Sequence, residues 1–417
     1  MNLIVICSDY PIVKENAESS LLGFQLDSIK NSFKKITLLP TDRVKKENVI
    51  SGLEHEIIFD FRSFRIRSIT NFFKYFNILN NDLKSLKMSN FYFSSLRRSI
   101  SVYAKSIFMF TYLENYLKKS GSKIENTAIY SFWFNDSSLG ALLLKKKFPE
   151  LKIFCGAHGY DLFEDRHIGK RIPFRELSIS LVDKVIVCSN EGITYLSEKY
   201  PRFKNKFRLV NSGIRKKKIR VKSSTDGIFR ILTLSRTHPV KRISYLLRTL
   251  KKIESFSDFE IQYYHIGGDH VHGETGLQDL KDLSKKLDFK RFEINFLGQI
   301  SDDDLNNFFK TSSIDVFLNI SSSEGTCLSL VEAMSYSIPI VVTAVGGNIT
   351  IGNVSNTCLN VNFSPDELYE YLKNIHNNQE YREKLQSNSY NYWFSNHNSD
   401  ILSIEINNIF QLICKQT

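Results

Sequence analysis

A chain of 417 residues exceeds one ordinary domain and predicts two, of about 200 residues each. Hydrophobic residues at 42% and aromatics at 13% exclude a disordered chain, and no run of about 18 apolar residues is present to form a membrane-spanning helix. The net charge of +12 is uneven: residues 1–218 carry 37 basic and 21 acidic side chains, residues 219–417 carry 19 and 23. The first half is therefore predicted to face something anionic: a membrane surface, a diphosphate-linked acceptor or nucleic acid.

The opening Met-Asn-Leu-Ile-Val-Ile-Cys-Ser-Asp reads as a buried strand, without the basic region or cleavage site of a signal peptide. Six cysteines (7, 155, 188, 327, 358, 414) show no C-x-x-C spacing, which predicts buried thiols and a cytoplasmic setting. Strands are predicted at 3–7, 35–39, 55–59, 128–132, 152–155, 184–188 and 207–210, then at 229–234, 259–266, 292–296, 314–320, 338–342 and 357–361. Short β runs separated by helix-length segments mean βαβ units and parallel sheets. The fold class is α/β, with two doubly wound domains at 1–218 and 219–391. One or two amphipathic helices follow over 392–417 and pack toward the first domain. The join is placed near 215–224, charged and poor in pattern, as linkers are. Residues 62–119 interleave Phe and Tyr with Lys and Arg. Such helices either dock on anionic lipid or form a helical insertion whose aromatics face the core.

The chemistry gathers after strands. In Phe154-Cys155-Gly156-Ala157-His158-Gly159-Tyr160-Asp161-Leu162, glycines bracket His158 where a strand ends, which places the imidazole to face a crevice. Asp161 reads as an N-cap for the segment C-terminal to it. Ser235-Arg236 and Lys241 follow the strand at 229–234, where their cations suit a diphosphate. Gly267, in His265-Ile266-Gly267-Gly268-Asp269, allows close approach of a ligand or makes a turn; Gln299 stands in a similar loop after the next strand. Ser301 followed by Asp302-Asp303-Asp304 is a helix start rather than a metal site. Glu324 and Glu332 lie in Ser-Ser-Ser-Glu-Gly-Thr-Cys-Leu-Ser-Leu-Val-Glu-Ala-Met, between two apolar strands. Two carboxylates at the carboxyl edge of a parallel sheet, beside a helix start, suit a ligand carrying both phosphate and sugar hydroxyls.

Taken together, Ser-Glu-Gly-x-x-Leu-Ser-Leu-x-Glu-Ala-Met-x-x-x-x-Pro-Ile-Val-x-Thr-x-Val-Gly-Gly resembles the signature of the retaining GT-B glycosyltransferases of family four, with Glu324 and Glu332 matching its E-x7-E pattern. Arg236 and Lys241 resemble its second cluster, and the loop Ala157–Asp161 its histidine loop. Tyr130-Ser131-Phe132-Trp133 and Ile172-Pro173-Phe174-Arg175 resemble lipopolysaccharide and exopolysaccharide members.

The resemblance implies two Rossmann-like domains facing each other across a cleft, and a nucleotide-sugar donor, UDP- or GDP-linked, as substrate with no metal and no resident cofactor. It implies Glu332 on the ribose, Glu324 on the donor sugar, and backbone of Gly325, Thr326, Cys327 and Leu328 at the sugar and phosphates. Arg236 and Lys241 would meet the departing diphosphate, with His158 near the donor sugar. The expected acceptor is a glycan or a lipid-diphosphate-linked chain of a bacterial surface polysaccharide, with an anionic membrane surface as a further partner. Three departures stand out: residues 8–16 lack paired glycines, Asn348 replaces an acidic residue after Gly346-Gly347, and Gly156 stands where a larger residue is expected. Cys327 replaces a commoner proline, at a position where only backbone is asked. A soluble transferase making a small glycoside and a non-catalytic nucleotide-sugar-binding protein are the competing readings. Nucleic-acid binding has no matching motif.

Overall fold

The computed structural model describes all residues except 9, 12–16, 43–54, 59–64, 87–90, 122, 212, 215–218, 270–275, 326, 416 and 417. It divides into two compact units: Met1–Asn211 with Leu402–Thr417, and Ser212–Ile401.

In the first unit, β1 (Asn2–Cys7), β2 (Lys35–Pro40), β3 (Glu56–Ile57), β4 (Thr127–Ser131), β5 (Lys152–Ala157), β6 (Lys184–Val187) and β7 (Phe207–Leu209) form one sheet in the order β3-β2-β1-β4-β5-β6-β7. All neighbours run parallel, with Ile4 paired to Thr37 on one side and to Ile129 on the other. The strand expected at 55–59 is described only at Glu56–Ile57, on the sheet edge. Elsewhere the strands are near-continuous apolar runs, as parallel strands covered by helices on both faces must be. One face packs Tyr103, Phe110 and Leu113, from the helix Tyr92–Lys119. The other packs Leu22, Leu26 and Phe410. Phe410 comes from the last helix, Ser399–Lys415, and meets Phe154 edge-on at 4.7 Å and Tyr130 at 5.2 Å.

The basic, aromatic segment forms the helices Arg65–Lys74, Phe76–Lys84 and Tyr92–Lys119. The reading of a helical insertion with aromatics facing the core holds for part of it. Tyr103, Phe110 and Tyr112 are buried in the core, whereas Phe73 is 70% and Phe93 80% exposed.

The second unit holds β8 (Ile228–Leu234), β9 (Glu260–Ile266), β10 (Glu293–Gly298), β11 (Val316–Asn319), β12 (Ile340–Thr343) and β13 (Cys358–Leu359), all parallel, in the order β10-β9-β8-β11-β12-β13. This is the Rossmann-like order, and it reverses between β8 and β11. Ligands of such sheets bind beyond the carboxyl ends of the strands flanking that reversal. Residues 219–224 of the expected linker pack onto this unit. Val221 is buried, and Asp315 accepts hydrogen bonds from Ser224 N at 2.9 Å and Arg230 N at 2.8 Å. The acidic run after Ser301 opens the helix Asp302–Thr311, with the Ser301 hydroxyl accepting the Asp304 N–H at 3.1 Å.

One buried carboxylate ties the helix Ile243–Glu254 to the turn before β10. Oε1 of Glu254 accepts the backbone N–H groups of Lys290, Arg291 and Phe292 at 2.7, 2.7 and 2.9 Å, and Lys251 pairs with Oε2 at 2.6 Å. Burial opposes the charge, but Lys251 and the amides outweigh it and lower the pKa to about 2. Glu254→Gln should destabilise the second unit by about 1–3 kcal/mol at neutral pH. Because the folded pKa is depressed, this contribution is whole above about pH 4.5 and is lost as pH falls toward 2. Denaturant melts should show the gap between wild type and variant closing over that interval.

Candidate functional site

The second unit's site is built from the loops leaving β8, β11 and β12. After β8, Ser235 N donates to the Ile266 carbonyl at 2.9 Å, and Thr237 N to the Gly268 carbonyl at 3.1 Å. Gly267 makes this crossing possible: its φ is +143°, and a Cβ there would sit 1.9 Å from the Ser235 carbonyl oxygen. His238 then accepts the Val240 N–H at 3.1 Å and caps a short turn, Pro239–Lys241, that aims Lys241 into the crevice.

Across the reversal point, Glu324 follows β11. Its Oε1 accepts from Lys241 Nζ at 2.5 Å, the Ser321 hydroxyl at 2.6 Å and Asn319 Nδ2 at 3.2 Å. Its Oε2 takes no hydrogen bond from the described residues, which leaves a lone-pair face for a ligand hydroxyl. Burial works against the Lys241 ammonium. The Cys327 sulfur and the Glu324 carboxylate beside it more than compensate, raising its pKa above the usual lysine value. From β12, Thr343 donates its hydroxyl to the Ser321 carbonyl at 2.6 Å. Gly346 closes the loop onto Glu324: at φ +46° a Cβ would stand 1.9 Å from the Glu324 carbonyl oxygen.

Asn319 is the hub that sequence reasoning missed. Its Nδ2 donates to Glu324 and to the Cys327 sulfur at 2.8 Å, and its Oδ1 accepts from Ser321 N at 3.2 Å and from Asn348 Nδ2 at 3.4 Å. Asn348 is fully buried, and its amide makes a donation to Asn319 that an ionised acid at this position could not. Cys327 offers more than its backbone: its buried sulfur accepts from Asn319. The signal available in the sequence was a single asparagine ending an otherwise apolar strand.

Cys327 also precedes the helix Leu328–Ser335, so the leading N–H groups of that helix open beside Glu324. Gly325 and Leu328 are half-buried on this loop, Thr326 lies outside the described residues, and Glu332 is half-buried in the second turn of the helix. Arg236 is exposed on the β8 loop. Gln299 lies further out, exposed after β10, and packs on Gly268, where a Cβ would meet its Oε1 at 3.1 Å. Among the described residues no group of three His, Cys, Asp or Glu side chains is arranged to hold a metal ion, and no helix is long and apolar enough to cross a membrane.

In the first unit, His158 follows β5 and packs on Phe132 at 4.3 Å and Trp133 at 4.9 Å, which gives the aromatic motif after β4 its role. Gly156 is required: a Cβ there would lie 2.5 Å from the Phe132 carbonyl oxygen. Asp161 caps the loop N-terminal to it, and the cap expected for the segment on its C-terminal side is not where its hydrogen bonds go. Buried, it accepts the N–H groups of Phe134, His158 and Gly159 at 2.9, 2.9 and 3.2 Å, and lies 3.7 Å from His158 Nδ1. Burial opposes its charge, and the His158 imidazole and these amides still hold its pKa below the usual aspartate value. The loop expected at 8–16 lies mostly outside the described residues.

Residues 215–392, spanning this second site, match the family model of glycosyl transferases group 1. That match lies within the second unit, and the two Rossmann-like units are those of the GT-B fold. It is similar to the O-antigen biosynthesis glycosyltransferase WbnH of Escherichia coli, 27% identical over 272 residues that cover 61% of this chain and 70% of the relative. Among solved structures it resembles the lipopolysaccharide outer core galactosyltransferase WaaB (TM-score 0.67, 16% identity, 99% of this chain and 100% of that one). It also resembles Alr3699/HepE of Anabaena in complex with UDP (TM-score 0.65, 11% identity, 99% and 100%).

Asn319→Ala should leave the fold standing and lower turnover by about 10²-fold, because a reacting group misplaced by about 1 Å costs that much. Nucleotide release, measured beside a melting curve, checks it; unchanged turnover would show that Glu324 is oriented without Asn319.

Proposed function

We propose that the chain is a retaining, metal-independent glycosyltransferase. It moves a sugar from a UDP- or GDP-linked donor to a glycan or lipid-diphosphate-linked acceptor in bacterial surface polysaccharide biosynthesis. The observation that carries this reading is the Lys241–Glu324 pair, 2.5 Å apart at the reversal point of a sheet in the group 1 transferase region. The UDP held by the Anabaena neighbour supports a nucleotide-sugar donor, and the O-antigen and outer-core relatives support a surface glycan as product.

On this reading Glu332 accepts hydrogen bonds from the ribose hydroxyls, and Oε2 of Glu324 accepts one from the donor sugar. The helix start at Cys327–Leu328, with Gly325 and Thr326, adds N–H groups and dipole charge. As the bond from the anomeric carbon to the diphosphate breaks, Lys241 and Arg236 stabilise the negative charge on the leaving oxygens. Fixed cations thus supply the charge a metal would otherwise bring. The acceptor oxygen bonds to the anomeric carbon on the face the diphosphate leaves, and its proton passes to the departing phosphate. Configuration is kept and a nucleoside diphosphate is released. His158, in the first unit, takes the role at the donor sugar that the resemblance of its loop implies.

Glu332→Ala should weaken nucleotide binding by about 10-fold or more, one lost hydrogen bond to a charged group being worth roughly 1.5–3 kcal/mol. Glu324→Ala should mainly slow transfer. Calorimetry with UDP and GDP, together with nucleotide release from a donor panel, separates the two. Wild-type turnover in both variants would remove these residues from the site.

The basic first unit supports a peripheral place on the inner face of the cytoplasmic membrane. Ile69 and Phe73 are exposed one helical turn apart, as are Phe93 and Arg97, within a segment rich in Lys and Arg. The protein should sediment with anionic vesicles at moderate salt, and Phe73→Ser with Phe93→Ser should weaken that binding by roughly 10-fold. If wild type ignores such vesicles, the reading moves to a soluble transferase making a small glycoside.

A further inference from the structure

The first unit contains a cavity of about 350 Å³ that the donor chemistry does not use. It lies between the helix Phe76–Lys84, the segment Arg171–Leu177 and Tyr200. Its size falls within the roughly 300–1,000 Å³ typical of small-molecule sites.

The lining specifies the chemistry of an occupant. Lys146, Arg171 and Arg175 stand against Asp82, Glu164 and Glu176, so the wall has no net charge. Arg171 is paired with Asp82, and Glu164 accepts from the Tyr200 hydroxyl and pairs with Lys199 at 3.0 Å. A phosphate or a nucleotide would meet as many carboxylates as cations. Asn77, Asn81 and Ser85 add neutral donors and acceptors, while Ile78, Phe174 and Leu177 supply apolar surface. Amides, carboxylates and guanidinium beside an aromatic wall suit a neutral ligand rich in hydroxyls, since each hydroxyl both donates and accepts.

Three further observations single out this cavity. The Asp82 side chain is only 6% exposed, and its Oδ2 has no hydrogen-bond partner among the described residues. Arg175, 4% exposed, likewise has an unpartnered Nε. One is an acceptor and the other a donor, and native structures rarely leave such groups unmet. Phe174 stands at φ +58°, a left-handed conformation that is unusual for so bulky a residue, held by its N–H donating to Asp82 Oδ1 at 2.8 Å.

We propose that this cavity is a second saccharide site, taking a neutral mono- or disaccharide portion of a glycan through Asn77, Asn81, Asp82 and Arg175. The proposal rests on the reading of the acceptor as a glycan. Arg175 also donates to the Asp161 carbonyl, and the Asp161 carboxylate holds the His158 and Gly159 amides. Arg175 thus joins the wall of the cavity to the loop that carries His158.

The test uses the full chain and saturation-transfer NMR with lactose, maltose and N-acetyllactosamine as probes, UDP and GDP being measured in parallel. At least one disaccharide should bind the wild type. Asn81→Trp, which fills the cavity, should abolish that signal, and Asn77→Ala with Asn81→Ala, which strips two amides from a helix surface, should weaken it 10-fold or more. Nucleotide binding should stay as in wild type in all variants. Binding of no disaccharide, or a disaccharide signal that both variants retain, overturns the proposal. Failure of the wild type to bind either nucleotide would instead count against the donor reading, and leaves the disaccharide result to be judged by itself.

Discussion

The ion pair between Lys241 and Glu324 is the constraint around which the second unit's site is arranged. A carboxylate and an ammonium that are largely removed from water resist burial unless every partner is well placed. Ser321 and Asn319 supply the remaining donors, and Asn348 and Cys327 in turn hold Asn319. Two glycines permit the closeness of the backbone, Gly267 against Ser235 and Gly346 against Glu324, since any side chain there would collide with a carbonyl. The consequence is a directly paired cation and carboxylate held by fixed donors, with Oε2 of Glu324 taking no hydrogen bond from the described residues. Preorganised groups of this kind need not rearrange as charge develops on a bound ligand.

The first unit applies the same device at the carboxyl edge of its own sheet. Asp161 is a buried anion satisfied by three amides, with the His158 imidazole 3.7 Å away. It fixes the backbone on both sides of His158, while Phe132 and Trp133 fix the ring. In both units a carboxylate organises a loop that glycine alone allows to approach: Gly156 in one, Gly346 in the other. The difference lies in what is left over. Oε2 of Glu324 takes no hydrogen bond from the described residues, whereas backbone amides meet both oxygens of Asp161.

The helical segment after β3 places its aromatic residues in two settings. The long helix Tyr92–Lys119 must cover one face of the parallel sheet, and it does so with Tyr103, Phe110 and Leu113. Its first turns, and the helix Arg65–Lys74 before it, reach past the core and expose Phe93 and Phe73 among basic residues. Composition alone does not distinguish the buried from the exposed aromatics, because Phe and Tyr occur in both settings.

Much of the architecture was legible in the residues. The apolar runs from 3–7 to 357–361 each correspond to a parallel strand, because strands covered on both faces leave few positions for polar side chains. Glu324 and His158, each beside a glycine just past such a run, and Lys241, a few residues beyond its strand, stand out in the sequence as candidates. The sequence by itself thus determined the α/β class, the family signature and the residues that carry charge at the strand ends. Tertiary structure decided which of them meet. Lys241 is 83 residues from Glu324, and Asn348 is 29 from Asn319. Only the pairing of β11 with both β8 and β12 brings their loops together. The same holds for Cys327, whose sulfur found a use that no local pattern records, and for the cavity of the first unit, whose wall joins residues 77–85 to 171–177. Period and composition report how each segment meets water; hydrogen bonds between distant segments depend on strand order, which local patterning does not encode.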